Sequence, residues 1–193
     1  MACHELIEGH LQALARSLPA SVVEELRDGL IESYEDQLER LGDAEAAAHA
    51  AIADFGDADT VTAAFVRASP GRGIAVRLLL AGPVVGLSWA AALIAGHWWT
   101  WPISPPLRLA VGLVLGLAVL MLIVAVRERH HYRTVRLAAL AGATGVAVLD
   151  TTLLATVVML PAGPSVLLVP ALAASVARVL LVVRAVPEMI SDP

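Results

Sequence analysis

LRLAVGLVLGLAVLMLIVAVRERHHYRTVR, Leu107 to Arg136, is the stretch on which the fold turns. From Leu107 to Val126 it carries a single charge, Arg108, among Leu, Val, Ala, Gly, Ile and Met. A helix needs about 20 mostly apolar residues to cross a hydrocarbon layer of about 30 Å, at 1.5 Å per residue. This run meets that length. The decapeptide that follows, RERHHYRTVR, is basic through Arg127, Arg129, Arg133 and Arg136, and the chain then turns apolar again at Leu137. A short basic segment between two such runs reads in three ways: a nucleic-acid patch, a histidine metal site, or a topogenic cytoplasmic loop.

Working outward favours the third. The 193 residues are 58% hydrophobic and 16% charged, against roughly 45–50% apolar and 25% charged in soluble domains. The mean hydropathy of +0.75 points the same way. Four runs are long enough to span a bilayer: about 78–96, 107–126, 137–160 and 165–186. Arg67, Arg72 and Arg77 precede the first, the basic decapeptide joins the second to the third, and Arg184 closes the fourth. By the positive-inside rule all these fall on the cytoplasmic side, so both termini are expected inside. The opposite side receives HWWTWPISPPLR, where Trp98, Trp99 and Trp101 suit an interfacial aromatic belt or, alternatively, a ligand-facing aromatic box. All basic residues are Arg and none is Lys, which with the wealth of Ala, Val and Gly suggests a high-GC bacterial genome. The expected location is the bacterial cytoplasmic membrane, multi-pass, with the lipid bilayer as first partner.

Within the spans, Gly82 with Gly86 and Gly112 with Gly116 form GxxxG pairs, and Ala138 with Gly142 is a further pair of small residues. Such spacing lets helix backbones approach closely in lipid. It serves packing within the bundle or, in the sharper reading, a homodimer. Two ionisable residues lie inside spans, Asp150 in the third and Arg178 in the fourth. An intramembrane charge costs about 3 kcal/mol on insertion scales, so each needs a partner or water. They are expected about 7 Å apart in depth, a gap that a long Arg side chain narrows. The alternatives are an Arg178 that snorkels while Asp150 bonds nearby Thr residues, and an ion or proton pathway.

The first seventy residues are of another kind. Residues 1–70 hold four Arg against fourteen Asp and Glu, whereas residues 71–193 hold nine Arg against four acids. Residues 71–77 read as a basic juxtamembrane linker and 188–193 as a short cytoplasmic tail. Ile7, Leu11, Leu14 and Leu18 repeat at helical spacing and Pro19 follows. In SVVEELRDGLIESYEDQLERLG, Ser21 and Glu24 form a capping box, and Val22, Leu26, Leu30, Tyr34, Leu38 and Leu41 make one stripe before Gly42. A third helix begins near Asp43 and a fourth near Asp59. The fold class is therefore all-α: a small cytoplasmic helical domain, then a four-helix transmembrane bundle, N-in and C-in. The chain opens on a polar helix, with no basic-then-apolar leader.

The succession LARSLPASVVEELRDGLIESYEDQLERLGDAEAAAHAAIADFGDADTVTAAFV, within residues 6–66, resembles the HAAS-type α-helical signalling domain, also called the permease prefix domain. That pattern runs through a leucine helix ending in Leu-Pro, a long acidic helix, a Gly turn, an Ala-rich helix and a short helix. This chain departs from it in FGDADTV, which lacks the proline often found after that glycine. The resemblance implies a small membrane protein of the kind often encoded beside PadR-like transcriptional regulators, and it brings no catalytic residues.

The residues themselves point the same way. HExxH, P-loop and GxSxG motifs are absent from the sequence. Of His4, His10, His49, His97, His130 and His131, only the last two adjoin, without Cys or carboxylate companions at ligand spacing. The lone Cys3 forms neither an intramolecular disulfide nor a cysteine metal cluster. The expectation is a non-enzymatic regulator or adaptor without cofactor or metal, whose acidic head binds a protein partner. The alternative is an accessory subunit or small permease of a transport system. The head's negative charge disfavours direct nucleic-acid binding, which draws on Lys/Arg contacts to phosphate. It also allows the head to dock on the arginines of 127–136, weakly, with a Debye length of about 8 Å in physiological salt.

Overall fold

The protein is described by a computed structural model covering residues 2–97, 104–159 and 168–191. Trp98, Trp99 and Trp101, read as an interfacial belt or a ligand-facing box, lie outside the described residues, as does the expected turn at 161–165. The described residues form eight helices: α1 (Ala2–Ala15), α2 (Ala20–Leu41), α3 (Ala44–Phe55), α4 (Ala58–Ala68), α5 (Pro70–Ala95), α6 (Pro105–Arg127), α7 (Tyr132–Met159) and α8 (Leu168–Ser191). They separate into two compact units, one of residues 1–69 with 128–135, the other of 70–127 with 136–192.

In the first unit α1 packs on α2, α3 and α4, and α2 on α3. Ile7, Leu11, Leu14 and Leu18 are all buried, joined by Val22 and Leu30 of α2 and by Ala48 and Ala51 of α3. The alanines of α3 are small enough to let it lie close to its neighbours. The α2 stripe fades toward its end, where Leu41 is 51% exposed. Gly42, at φ 66°, then ends the helix by donating its N–H to the Leu38 carbonyl, a left-handed geometry that favours glycine. The acidic face of α2, from Glu24 and Glu25 through Asp28, Glu32, Glu35 and Asp36, is exposed.

Local chemistry sets the other boundaries. The Asp43 carboxylate accepts the Glu45 N–H at 3.0 Å, and Asp57 accepts the Thr60 N–H at 2.7 Å, as N-caps of α3 and α4. The expected capping box of Ser21 and Glu24 does not form. Pro19 takes the N-cap position with φ −62° and ψ 151°, makes no side-chain cap, and α2 starts one residue before Ser21. Proline fixes the extended entry geometry by itself and shifts the helix start.

The core of the first unit includes two residues from far along the chain. Tyr132, 3% exposed, and Val135, 0% exposed, lie in the same apolar cluster as Leu14 and Leu30. The Tyr132 N–H donates to the Ser17 carbonyl at 3.3 Å, and its ring meets Phe65 at 5.4 Å between centroids.

The second unit is built from four helices long and apolar enough to cross a membrane: Pro70–Ala95, Pro105–Arg127, Tyr132–Val157 and Leu168–Pro187. Residues 71–77, expected as a linker, are instead the opening turns of α5, because Pro70 is well suited to a first helical position and nothing after it interrupts the helix. The helix read from 165 starts at Leu168 among the described residues and runs on to Ser191. Helix α5 packs on both α6 and α8. Two apolar clusters result. One contains Ile74 and Leu78 of α5, Leu122 of α6, Ala143 and Val146 of α7, and Val182 of α8. The other contains Val85, Trp89 and Ala92 of α5 with Ala171 of α8.

Candidate functional site: a polar relay in the bundle

Between those clusters, in the order of residues along α7 and α8, lie Asp150, Ser175 and Arg178. Asp150 and Ser175 are wholly buried. Arg178 donates from Nε to Asp150 Oδ2 and from Nη2 to Asp150 Oδ1, both at 2.6 Å. Ser175 Oγ donates to Asp150 Oδ1 at 3.0 Å and accepts from Trp89 Nε1 at 2.8 Å. The relay Trp89–Ser175–Asp150–Arg178 thus ties α5, α7 and α8 together, and the carboxylate receives three hydrogen bonds.

Helix geometry brings this pair together despite its mismatch in depth. Asp150 lies eighteen residues past the start of α7 and Arg178 thirteen before the end of α8, about 7 Å apart along the axis at 1.5 Å per residue. The helices are antiparallel, since Arg136 Nη2, near the start of α7, donates to the Ile190 carbonyl near the end of α8 at 2.8 Å. Side chains lean toward their own helix N-terminus. Asp150 therefore leans toward the start of α7 and Arg178 away from the end of α8, so each reaches toward the other. The Thr residues take no part: Thr151, Thr152 and Thr156 donate to carbonyls four residues back in their own helix at 2.8 Å.

The GxxxG glycines fall elsewhere. A Cβ added at Gly82, Gly86, Gly112 or Gly116 would meet nothing within 4 Å, so none is a point of close helix approach. That role belongs to α7, where a Cβ at Gly142 would lie 2.7 Å from Leu122 Cγ and one at Gly145 3.0 Å from Ala118 Cβ. Gly82 and Gly86 instead line an apolar cleft of about 610 Å³ with Trp89, Leu115, Leu153 and Arg178 among its walls.

In the basic decapeptide, Arg127, Arg129 and Arg133 are exposed and Arg136 caps the end of α8. Among the described residues no carboxylate of the acidic head pairs with Arg129 or Arg133. The segment joins the head through Tyr132 and Val135 instead. Glu128 shapes it by accepting the N–H groups of His130 at 3.0 Å and Arg129 at 3.1 Å, with His131 Nδ1 at 3.3 Å. The His130 N–H foremost, with the His131 ring and the Arg129 N–H, holds the Glu128 carboxyl below its ordinary range. Among the described residues no group of three His, Cys, Asp or Glu is placed to hold a metal ion.

Sequence reasoning missed Trp89, Ser175, Tyr132 and Val135. Signals for each exist: an indole N–H inside a span needs an acceptor, Ser175 stands three residues before Arg178 on one helix face, and Tyr132 and Val135 repeat that spacing amid charges. No family model, curated protein or solved structure matches this chain.

Proposed function

We propose that the protein is a non-enzymatic regulator or adaptor of the bacterial cytoplasmic membrane, with both termini inside. Its acidic helical head binds a basic protein partner, and its bundle anchors the head and senses. The observation that carries this reading is that α7 is shared: its first turn supplies Tyr132 and Val135 to the head's core, and the same helix carries Asp150 of the relay. A change at the relay that shifts α7 therefore bears on the head's packing. The exposed carboxylates of α2 suit a basic partner by electrostatic steering. The resemblance of residues 6–66 to HAAS-type domains makes a PadR-like transcriptional regulator the first partner to test.

The test uses the full chain, because a fragment ending at residue 70 lacks Tyr132 and Val135. A photocrosslinker placed at Glu35 on the exposed face of α2 should capture a PadR-like regulator from the same organism at low salt, and Tyr132→Ala should reduce that capture several-fold. No capture of that regulator at low salt would refute the pairing.

One observation favours a second reading, as a transport component: Arg178 faces a cleft in the bundle. An Asp150→Asn variant that folds and leaves every flux or resistance phenotype unchanged would count against it.

A further inference from the structure

The Asp150–Arg178 pair leaves part of itself unused. A guanidinium carries five N–H donors, and Arg178 spends one on Nε and one on Nη2. Three remain, and among the described residues nothing accepts them. Arg178 keeps 14% of its side-chain surface open, and it lines the cleft of about 610 Å³ between α5, α6 and α7. That volume lies within the 300–1,000 Å³ of small-molecule sites.

Asp150 shares that wall, its carboxylate wholly buried and taken up by the three hydrogen bonds of the relay, and the remaining lining is apolar, with Gly82 and Gly86 providing the space that side chains would otherwise fill. The opening half of α6, from Pro105 to Leu117, is exposed along its whole length, so the cleft opens toward the bilayer. A molecule entering from lipid must be lipophilic, and one that satisfies the spare donors must carry an acceptor oxygen. Charge decides between acceptors. The arginine is already neutralised by Asp150, so a carboxylate or phosphate would bring an uncompensated charge into an apolar site.

We propose that the bundle cleft binds an uncharged lipophilic molecule bearing a carbonyl oxygen, which accepts hydrogen bonds from the guanidinium N–H groups that Asp150 leaves free. This rests on the reading of the bundle as a sensor and names the chemical class of what it senses. Trp89, whose ring lines the cleft while its N–H joins the relay, places the ligand one hydrogen bond from Ser175.

The full chain with Trp98, Trp99 and Trp101 changed to Phe keeps Trp89 as its sole tryptophan, whose fluorescence a brominated ligand quenches on contact. In detergent, methyl 9,10-dibromostearate should quench saturably. The ionised 9,10-dibromostearate and a dibromoalkane, which lacks an acceptor, should need at least tenfold higher concentrations. Gly86→Leu, which projects into the open cleft, should abolish saturable quenching by the ester. Asp150→Leu/Arg178→Leu, which removes donors and charges together, should reduce the ester to the level of the alkane. If that double variant does not fold, Gly86→Leu still decides. Equal quenching by the alkane, which would mean that hydrocarbon simply fills the cleft, overturns the proposal. So does equal binding of the carboxylate, or saturable ester binding retained in Gly86→Leu. Capture of the regulator by the head is a separate measurement, so its failure and this one are told apart.

Discussion

Asp150 holds three hydrogen bonds in a segment where a lone charge would be expelled or neutralised, and this sets what its removal does. Asp150→Ala leaves Arg178 as an uncompensated charge and should destabilise the protein by about 3–5 kcal/mol. Asp150→Leu/Arg178→Leu leaves no charge behind and should recover most of that loss, measured as unfolding by SDS in mixed micelles. His10 poses the opposite problem in the head. Its Nε2 is buried without a partner, its ring sits edge-on to Phe55, and burial lowers its pKa below 6.5 despite the attraction of Asp57. The folded head thus binds fewer protons than the unfolded chain, so the neutral ring's contribution is complete above pH 6.5 and is lost as pH falls through the folded pKa. His10→Leu should flatten the acid-side rise in amide exchange of residues 5–68 in the full-length protein.

Among the elements, glycine tells two stories. Gly142→Ala must displace Leu122 or the Ala118 carbonyl and should cost about 1–3 kcal/mol, whereas Gly116→Ala enters open space and should change monomer stability by no more than about 0.5 kcal/mol. Thermal unfolding in detergent separates the two. The helices themselves were legible: apolar runs of spanning length, the leucine repeat of α1 and the Asp43 cap of α3 all carry local signals, while α4, read as starting near Asp59, starts at Ala58 behind the Asp57 cap. Which faces meet was not. Spacing of small residues marks a helix face able to approach another, but the neighbour that takes it is settled by all four helices together, and here α6 meets Gly142 while Gly112 and Gly116 stay open. The same limit hid half of the relay. Asp150 and Arg178 announce themselves by charge in an apolar run, but Ser175 and Trp89 are ordinary until the helices are placed side by side.

At the scale of the molecule, charge and topology make one prediction. If both termini lie inside, as proposed, a membrane-impermeant maleimide should label Cys3 only after cells are permeabilised, while a Ser104→Cys variant, ahead of α6, should be labelled in intact cells once Cys3 is changed to Ser. The reverse pattern would invert the proposed orientation. The basic decapeptide offers the head its arginines, a docking that salt would screen. What it contributes is a tyrosine and a valine, contacts that salt does not screen, so Arg129→Gln/Arg133→Gln should leave the exchange protection of the head intact and Tyr132→Ala should not.

The head's core is discontinuous along the chain, and this orders events during synthesis. Domains ordinarily fold as they emerge, N-terminal first, but this one is short of two core side chains until residue 135 has left the ribosome. By then both α5 and α6 have been made. If each crosses the bilayer, Tyr132 and Val135 return to the side on which α1 to α4 are waiting; if one fails to cross, they do not. Completion of the head thereby requires that α5 and α6 share one fate, both crossing or neither, and excludes a bundle in which only one of them has crossed.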